Sequence, residues 1–234
     1  MSLAQQSRPF IQHIDKWLTA LPTGRLSQVA AKPGETAVLC VDIINGFCTV
    51  GPLASPRVQG IVKPITRLLT AAYKRGVRQF VLTQDTHPVD AVEFAAYPPH
   101  CVRGTAESTT APELLKLPFA SEFQVIEKNS ISSSMNTGLD GWLDKHPQIK
   151  TFIVVGDCTD LCTYQLAMHL RLRANAGQQS GVRVVLPADC VQTYDTPVPL
   201  AKRLSIPAHE GDLLHAVFLY NMWSNGIEVM AGLR

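Results

Sequence analysis

Cys162 lies where an apolar, strand-like run turns into helix-forming sequence, and that position favours a reactive thiol. It closes the run Thr151-Phe-Ile-Val-Val-Gly-Asp-Cys-Thr-Asp-Leu-Cys162. At a helix N-terminus the unpaired backbone N–H groups and the positive end of the helix dipole favour thiolate over thiol. Since the thiolate is the nucleophilic form, Cys162 is a candidate nucleophile. We interpret Cys158, four residues earlier, as structural.

Two charged residues at the ends of other predicted strands could activate this cysteine. Asp42 directly follows the run Val-Leu-Cys-Val, and Lys128 ends the run Gln124-Val-Ile-Glu-Lys128. Taken singly, Asp42 could cap a loop and Lys128 could be a solvated charge. Together they favour a buried ion pair, in which a carboxylate whose pKa is raised by burial takes the proton of the thiol. Backbone N–H groups of the turn, those of Cys158 and Cys162, could form an oxyanion hole.

A second group of residues has the types and spacing of a metal site. Asp85 and His87 lie two apart in Asp85-Thr86-His87-Pro88, and His100 follows in Pro98-Pro-His-Cys101. One carboxylate oxygen and two imidazole nitrogens could hold a divalent ion and leave positions open for water or substrate. A single histidine in such a loop would more often only pack. Glu93 could add an oxygen ligand or be a solvated loop acid.

Three other histidines and two of the tryptophans fit structural positions and do not indicate a catalytic or cofactor-binding site. His169 lies well inside a predicted helix, and His209 and His215 fit cap and face positions of the last helix. Trp17 and Trp142 fit amphipathic helix faces rather than a cofactor site. No glycine-rich phosphate-binding loop occurs.

Composition excludes several classes of protein. The 234 residues suit one domain, and 46% apolar with 17% charged residues describe a globular chain. The net charge of +2 is spread along the chain, which indicates neither nucleic-acid nor membrane binding. No apolar run approaches the ~20 residues of a membrane span, and the first residues lack an apolar signal core. Six scattered cysteines predict reduced thiols and a cytoplasmic location.

Alternating strand and helix patterns predict how these residues are positioned. The patterns predict helices at 8–20, 57–75 and 160–175, and strands at 37–42, 78–83, 124–128, 151–156, 182–186 and 227–230. Continuous apolar strands predict a mainly parallel sheet of about six strands in a three-layer α/β/α, Rossmann-like domain. In such sheets ligands bind beyond the C-terminal strand ends. Asp42, Asp85, Lys128 and the loop before Cys162 all lie there.

From about residue 37 to the C-terminus, the chain resembles the isochorismatase-like cysteine hydrolase superfamily, and within it the nicotinamidases. Three motifs carry the resemblance: Val41-Asp-Ile-Ile-Asn-Gly-Phe-Cys48 with Gly51-Pro-Leu53; Glu127-Lys128 with Ser130-Ile-Ser132; and Gly156-Asp-Cys-Thr-Asp-Leu-Cys162. The resemblance implies a triad of Asp42, Lys128 and Cys162, an isochorismatase-like hydrolase fold at 36–234, and a helical extension at 1–35. It also implies a cis peptide at Asp157–Cys158 that aims the two N–H groups at the oxyanion.

The metal motif narrows the resemblance to nicotinamidases. Asp85, His87 and His100 match their ligand set, in which the ion holds the pyridine nitrogen, and some members have an acid where Glu93 stands. The implied ion is zinc, with iron or manganese as alternatives. Many nicotinamidases have tryptophan at the position where this chain has Thr86. The substrate pocket of this chain would therefore lack one aromatic wall. Phe47 could still stack on the ring.

The resemblance therefore predicts hydrolysis of nicotinamide to nicotinate and ammonia through a cysteine thioester, within NAD salvage. It also implies a small-molecule substrate and a homo-oligomer. Two alternatives remain open. One is a related cysteine amidase or isochorismatase-type hydrolase that acts on another small substrate, and the other is a non-catalytic, ligand-binding member of the fold.

Overall fold

The computed structural model describes residues 1–234, in which helices and strands alternate along most of the chain. The helices are α1 (Leu3–Thr19), α2 (Leu26–Val29), α3 (Asn45–Cys48), α4 (Pro56–Lys74), α5 (Pro112–Leu115), α6 (Leu139–Lys145), α7 (Cys162–Ala176), α8 (Val198–Leu204) and α9 (Gly211–Ser224). The strands are β1 (Thr23–Gly24), β2 (Thr36–Val41), β3 (Gln79–Asp85), β4 (Phe123–Lys128), β5 (Thr151–Asp157), β6 (Arg183–Pro187), β7 (Val191–Gln192), β8 (Glu228–Met230) and β9 (Gly232–Leu233).

The strands form one parallel sheet in the order β4-β3-β2-β5-β6-β8, which confirms the predicted fold class. Each of the six predicted strands is present, within a few residues of its predicted bounds. The short β7 also pairs with β5, so the sheet has seven strands rather than six. The two-residue strands β1 and β9 form a separate parallel pair that was not predicted.

Alternating side chains on the central strands explain why helices cover both faces of the sheet. In β5, Ile153 and Val155 belong to one hydrophobic cluster, whereas Phe152 and Val154 belong to a second. The first cluster contains the buried face of α4, and the second contains that of α7. Burial on both faces gives the continuous apolar runs that predicted a parallel sheet.

The first helix begins earlier than predicted. It starts at Leu3 rather than at residue 8, because Ser2 and Gln5 form a capping box, in which each side chain accepts a hydrogen bond from the backbone of the other. Pro9 therefore lies inside the helix. Helix α4 begins at Pro56, where Ser55 caps it.

Residues near the N-terminus pack against the C-terminal part of the chain. Trp17 of α1 lies edge-on to Tyr220 of α9, with ring centroids 5.2 Å apart, and also contacts Trp223. Thr23 and Gly24 pair with Gly232 and Leu233.

None of the helices combines the length and apolarity that crossing a bilayer requires.

Candidate active site

The sheet brings Asp42, Lys128 and Cys162 together at the C-terminal strand ends, as predicted. Asp42 follows β2, Lys128 ends β4, and Cys162 begins α7 after β5. Lys128 Nζ lies 2.8 Å from Asp42 Oδ2 and 3.5 Å from Cys162 Sγ. All three side chains are buried. A carboxylate, an ammonium and a thiol at these distances can exchange a proton and stabilise the resulting charge.

Asp42 has the geometry of a general base, with one oxygen that accepts no hydrogen bond. Its Oδ1 accepts a hydrogen bond from the backbone N–H of Asp85 at 2.8 Å. Its Oδ2 pairs with the charge of Lys128 but receives no hydrogen bond of good geometry. Burial raises the pKa of Asp42 to about 6, although the charge of Lys128 opposes that rise. Its backbone is left-handed, with φ of 53°, which is uncommon outside glycine and asparagine.

Lys128 also pairs with Asp85, a contact that the sequence did not reveal. Its Nζ lies 2.5 Å from Asp85 Oδ1, so one ammonium lies between two carboxylates. Burial acts to lower the pKa of Lys128, but the charges of Asp42 and Asp85 raise it well above its ordinary value. Burial acts to raise the pKa of Asp85, but opposing effects, of which the charge of Lys128 is the largest, outweigh it and lower the pKa. Lys128 is therefore a charged ammonium.

The cysteine differs from its sequence prediction in one respect. Burial raises the pKa of Cys162 well above its ordinary value, and the nearby ammonium of Lys128 only partly offsets this effect. Desolvation therefore favours the thiol form of Cys162, which is the opposite of the effect expected from the helix start alone. Its thiol needs a base. Oxygens of Asp42 and Asp85 lie with its Sγ in a group whose atoms are all within 4.8 Å of one another.

The turn before Cys162 has the geometry expected of an oxyanion site. The Asp157–Cys158 peptide is cis, as the resemblance implied. The backbone N–H groups of Cys158 and Cys162 donate to no backbone carbonyl, so both are free to donate to a new acceptor. Gly156 precedes the turn with φ of 122°, and a Cβ there would lie 2.0 Å from the carbonyl oxygen of Val41. Only glycine fits this approach of β5 to β2.

Asp85, His87 and His100 form a second cluster beside the triad, as predicted. Their ligand atoms lie within 4.8 Å of one another. The Nε2 atoms of His87 and His100 are 3.6 Å and 3.8 Å from Asp85 Oδ2. Their Nδ1 atoms contact oxygen acceptors, Asn129 Oδ1 at 2.7 Å and the carbonyl of Pro98 at 2.8 Å.

This cluster fits a divalent cation. Because both Nδ1 atoms face oxygens, each can carry the ring proton and leave the Nε2 lone pair facing Asp85. His87 Nε2 is buried and has no hydrogen-bond partner. Two imidazole nitrogens and one carboxylate oxygen are a common ligand set for a divalent metal. Glu93 is not one of this group, and Asn129, which orients His87, was not predicted.

A cavity of about 490 Å³ joins the two clusters. Cys162, Asp85, His100 and Glu93 line it, and so does Phe47, as predicted. The prediction that Thr86 lies in the wall of this cavity is wrong. Thr86 is buried and does not line the cavity, and its hydroxyl donates a hydrogen bond to the carbonyl of Gln84.

Two tyrosines form an aromatic wall of the cavity, whereas Thr86 does not contribute to it. Tyr97 and Tyr194 both line the cavity, and neither was predicted. Tyr97 lies three residues before His100 in the metal motif, a proximity that could have identified it. Tyr194 lies in a loop after β7 and has no comparable motif.

The discounted histidines divide into three cases. His209 is not a helix cap: it is buried before α9, and its Nε2 is 2.7 Å from Asp160 Oδ2. His215 lies on α9, where its Nδ1 is 2.8 Å from Thr159 Oγ1. His169 pairs with Asp140 on the outer side of α7, away from the cavity residues.

Comparison with known proteins gives consistent similarities. The family described as Isochorismatase domain matches residues 36–198. "Nicotinamidase 1" of Arabidopsis thaliana is 30% identical over 217 residues, which cover 86% of this chain and 87% of that protein. The crystal structure of a nicotinamidase from Bacillus subtilis has a TM-score of 0.66 at 24% identity and covers 84% of this chain and 99% of its own. The crystal structure of a cysteine hydrolase from Pseudomonas syringae pv. phaseolicola 1448A has a TM-score of 0.69 at 22% identity. It covers 90% of this chain and 93% of its own, and it shares the fold.

Proposed function

Because the chain belongs to the isochorismatase family of hydrolases, we propose that it is an amidohydrolase that converts nicotinamide to nicotinate and ammonia. The observation that carries this proposal is the position of the Asp85, His87 and His100 cluster, of which Asp85 and His100 line one cavity with Cys162. A metal ligand set beside a nucleophile suits a substrate with a ring nitrogen and a carboxamide. The 30% identity to the Arabidopsis nicotinamidase supports the same substrate, whose product would enter NAD salvage.

The acid–base chemistry belongs to the three triad residues. Asp42 Oδ2 takes the proton of the Cys162 thiol, and the sulfur attacks the carboxamide carbon, which forms a C–S bond. Lys128 stabilises the negative charges of Asp42 and the thiolate, at 2.8 Å and 3.5 Å. The backbone N–H groups of Cys158 and Cys162 bind the oxyanion. Asp42 then gives its proton to the departing nitrogen, ammonia leaves, and water hydrolyses the thioester to release nicotinate and the thiol.

Asp85, His87 and His100 would hold a divalent ion, for which zinc suits the ligands and iron or manganese are alternatives. When bound, such an ion supplies a Lewis acid for the pyridine nitrogen. Asn129 fixes the ring of His87 through the 2.7 Å contact to Nδ1. Phe47, whose ring centroid is 5.8 Å from that of His100, provides an aromatic face for the substrate ring.

Ammonia release tests the proposal. Wild-type protein with its bound metal should hydrolyse nicotinamide and should act far more slowly on benzamide, which lacks the ring nitrogen. Cys162→Ala should reduce ammonia release at least about 1000-fold, because no other residue replaces the nucleophile. Cys190→Ala is the matched control, since Cys190 is also buried but does not line the cavity. Near-native turnover by the Cys162 variant, with folding intact, would contradict the assignment.

One observation favours a second candidate, a cysteine amidase for a larger amide. The cavity of about 490 Å³ lies in the range of pockets that hold drug-sized ligands, well above the needs of a single ring. A panel of primary amides of increasing size separates the two candidates. Nicotinamide should have the highest kcat/KM in the panel, and a larger amide with a higher value would favour the second candidate.

A further inference from the structure

His209 links the turn that carries the nucleophile to the wall of the substrate cavity. Its Nε2 lies 2.7 Å from Asp160 Oδ2, and Asp160 is two residues before Cys162. Its Nδ1 lies 3.0 Å from the carbonyl oxygen of Tyr194. Its ring stacks on that of Tyr194, with centroids 3.8 Å apart and planes 18° from parallel.

These contacts fix the orientation of the His209 ring. The carbonyl of Tyr194 can only accept a hydrogen bond, so Nδ1 donates to it at 3.0 Å. Burial acts to raise the pKa of Asp160, but opposing effects, of which its hydrogen bond with His209 is the largest, outweigh it and lower the pKa. With a partner at each nitrogen, the buried ring is held at both of its polar edges.

The two ends of this link serve different parts of the cavity. Asp160 lies in the turn whose Cys158 and Cys162 N–H groups have no backbone acceptor. Tyr194 lines the cavity with its neighbours Asp195 and Thr196. The backbone of Thr196 also pairs with His209 in both directions, at 2.7 Å and 2.9 Å. A displacement of His209 would therefore move both the oxyanion site and the wall that faces the substrate.

We propose that His209 is a positioning residue, which holds the nucleophile turn through Asp160 and holds Tyr194 as a substrate-contacting wall. The proposal rests on the proposed function only in that Cys162 is the nucleophile. It assigns Tyr194 to substrate binding and Asp160 to the geometry of the attacking group. Loss of one end should affect KM and loss of the other should affect kcat.

Two amide substitutions separate the ends of the link. In His209→Gln the side-chain amide reaches the position of Nε2 and keeps the bond to Asp160, but the stacking on Tyr194 is lost. In His209→Asn the amide replaces Nδ1 and keeps the bond to the Tyr194 carbonyl, but the stacking is lost here too and Asp160 also loses its partner. We expect the Gln variant to raise KM about 3- to 10-fold with kcat nearly unchanged. We expect the Asn variant to raise KM to a similar extent and, unlike the Gln variant, to lower kcat about 10- to 100-fold.

His169→Gln is the matched control, because His169 makes a similar 2.8 Å contact with Asp140 away from the cavity. It should leave kcat and KM unchanged. If either His209 variant fails to fold, Asp160→Asn, which keeps shape but removes the charge, should lower kcat as the Asn variant does. Equal behaviour of the folded His209 or Asp160 variants and the His169 control would overturn the proposal.

Alkylation separates failure of this proposal from failure of the proposed function. The rate at which iodoacetamide modifies Cys162 reports the nucleophile turn without any amide substrate, and Cys162→Ala gives the background from the other cysteines. If wild-type protein does not hydrolyse nicotinamide, the substrate assignment fails. His209→Asn should still change the alkylation rate of Cys162 at least about threefold, and His209→Gln should not. Identical rates in both variants and wild type would refute the positioning role.

Discussion

Lys128 joins the two functional clusters into one charge network. Its ammonium contacts Asp42 of the proposed triad and Asp85 of the proposed metal ligand set, and its side chain is buried. Two buried carboxylates at this distance would repel each other without a cation between them. Lys128 therefore contacts both the proposed base and the proposed oxygen ligand, which would fix the separation between the proposed metal and the proposed nucleophile.

Substitution of Lys128 should lower stability as well as activity. Lys128→Met keeps the length of the side chain but leaves Asp42 and Asp85 buried without a counter-charge. We expect the free energy of unfolding to fall by about 3 kcal/mol or more, measured by urea denaturation of the metal-loaded protein near neutral pH. Ammonia release should be lost as well.

The surface pair Lys32–Glu35 provides the control for this substitution. Its nitrogen and oxygen are 3.1 Å apart, but the lysine side chain is 74% exposed. Lys32→Met should therefore change the free energy of unfolding by less than about 1 kcal/mol. Equal effects of the two substitutions would mean that the buried network does not stabilise the fold.

Residues at strand ends could be predicted from the sequence, whereas contacts between distant loops could not. Asp42, Asp85, Lys128 and Cys162 each follow or end an apolar run, and parallel pairing brings such ends together. The pairing of Asp85 with Lys128 depends on the register of β3 and β4, which no local pattern specifies. His209 and Tyr194 meet only because two loops of the C-terminal part fold together, and neither belongs to a motif.

At the scale of elements, the close approach of β2 and β5 determines the shape of the turn. A Cβ on Gly156 would lie 2.0 Å from the carbonyl oxygen and 2.7 Å from the nitrogen of Val41. Gly156→Ala should therefore separate the strands, add left-handed backbone strain, and lower the free energy of unfolding by about 3 kcal/mol or more. Urea denaturation measures the loss of stability, and ammonia release measures the loss of activity that accompanies it.

Gly141 of α6 is the control, because a Cβ there meets no atom within 4 Å. Gly141→Ala should leave stability unchanged or raise it by up to about 1 kcal/mol, as expected inside a helix. A Gly156 variant as stable and active as the Gly141 variant would contradict the role of the close approach.

Helix α9 contacts the nucleophile turn through His215, and this contact should make stability depend on pH. Burial, with the charge of Arg57, lowers the pKa of His215 from its usual 6.5 to about 4. The unfolded chain therefore binds this proton at a higher pH than the folded chain does. The stability that the neutral ring contributes is present above about pH 6.5 and is lost as the pH falls toward 4.

His215→Asn keeps a hydrogen-bonding group for the Thr159 hydroxyl but does not titrate. Between pH 7 and 5, the free energy of unfolding should fall less in the variant than in wild-type protein, by about 2 kcal/mol. Chemical denaturation at several pH values measures the difference. The same loss in both proteins would show that His215 is protonated at a similar pH in its folded and unfolded states.

At the scale of the whole molecule, the two ends of the chain close against each other. Helix α1 packs on α9 through Trp17, Tyr220 and Trp223, and β1 pairs with β9. The sequence placed a boundary at residue 35 because the family resemblance begins near residue 37. That boundary marks where the resemblance to the family begins. The aromatic contacts, in contrast, join residues 1–35 to helix α9.

Trp17 tests whether residues 1–35 unfold together with the rest of the chain. Trp17→Ala removes two aromatic contacts with α9, and since Trp17 is only partly buried we expect a loss of about 2 kcal/mol. If the segment and the domain form one cooperative unit, a single unfolding transition shifts and kcat is unchanged, because the aromatic cluster does not line the cavity. Leu3→Ala, on the exposed start of the same helix, should have little effect. An unshifted main transition in the Trp17 variant would instead identify 1–35 as an extension that unfolds independently.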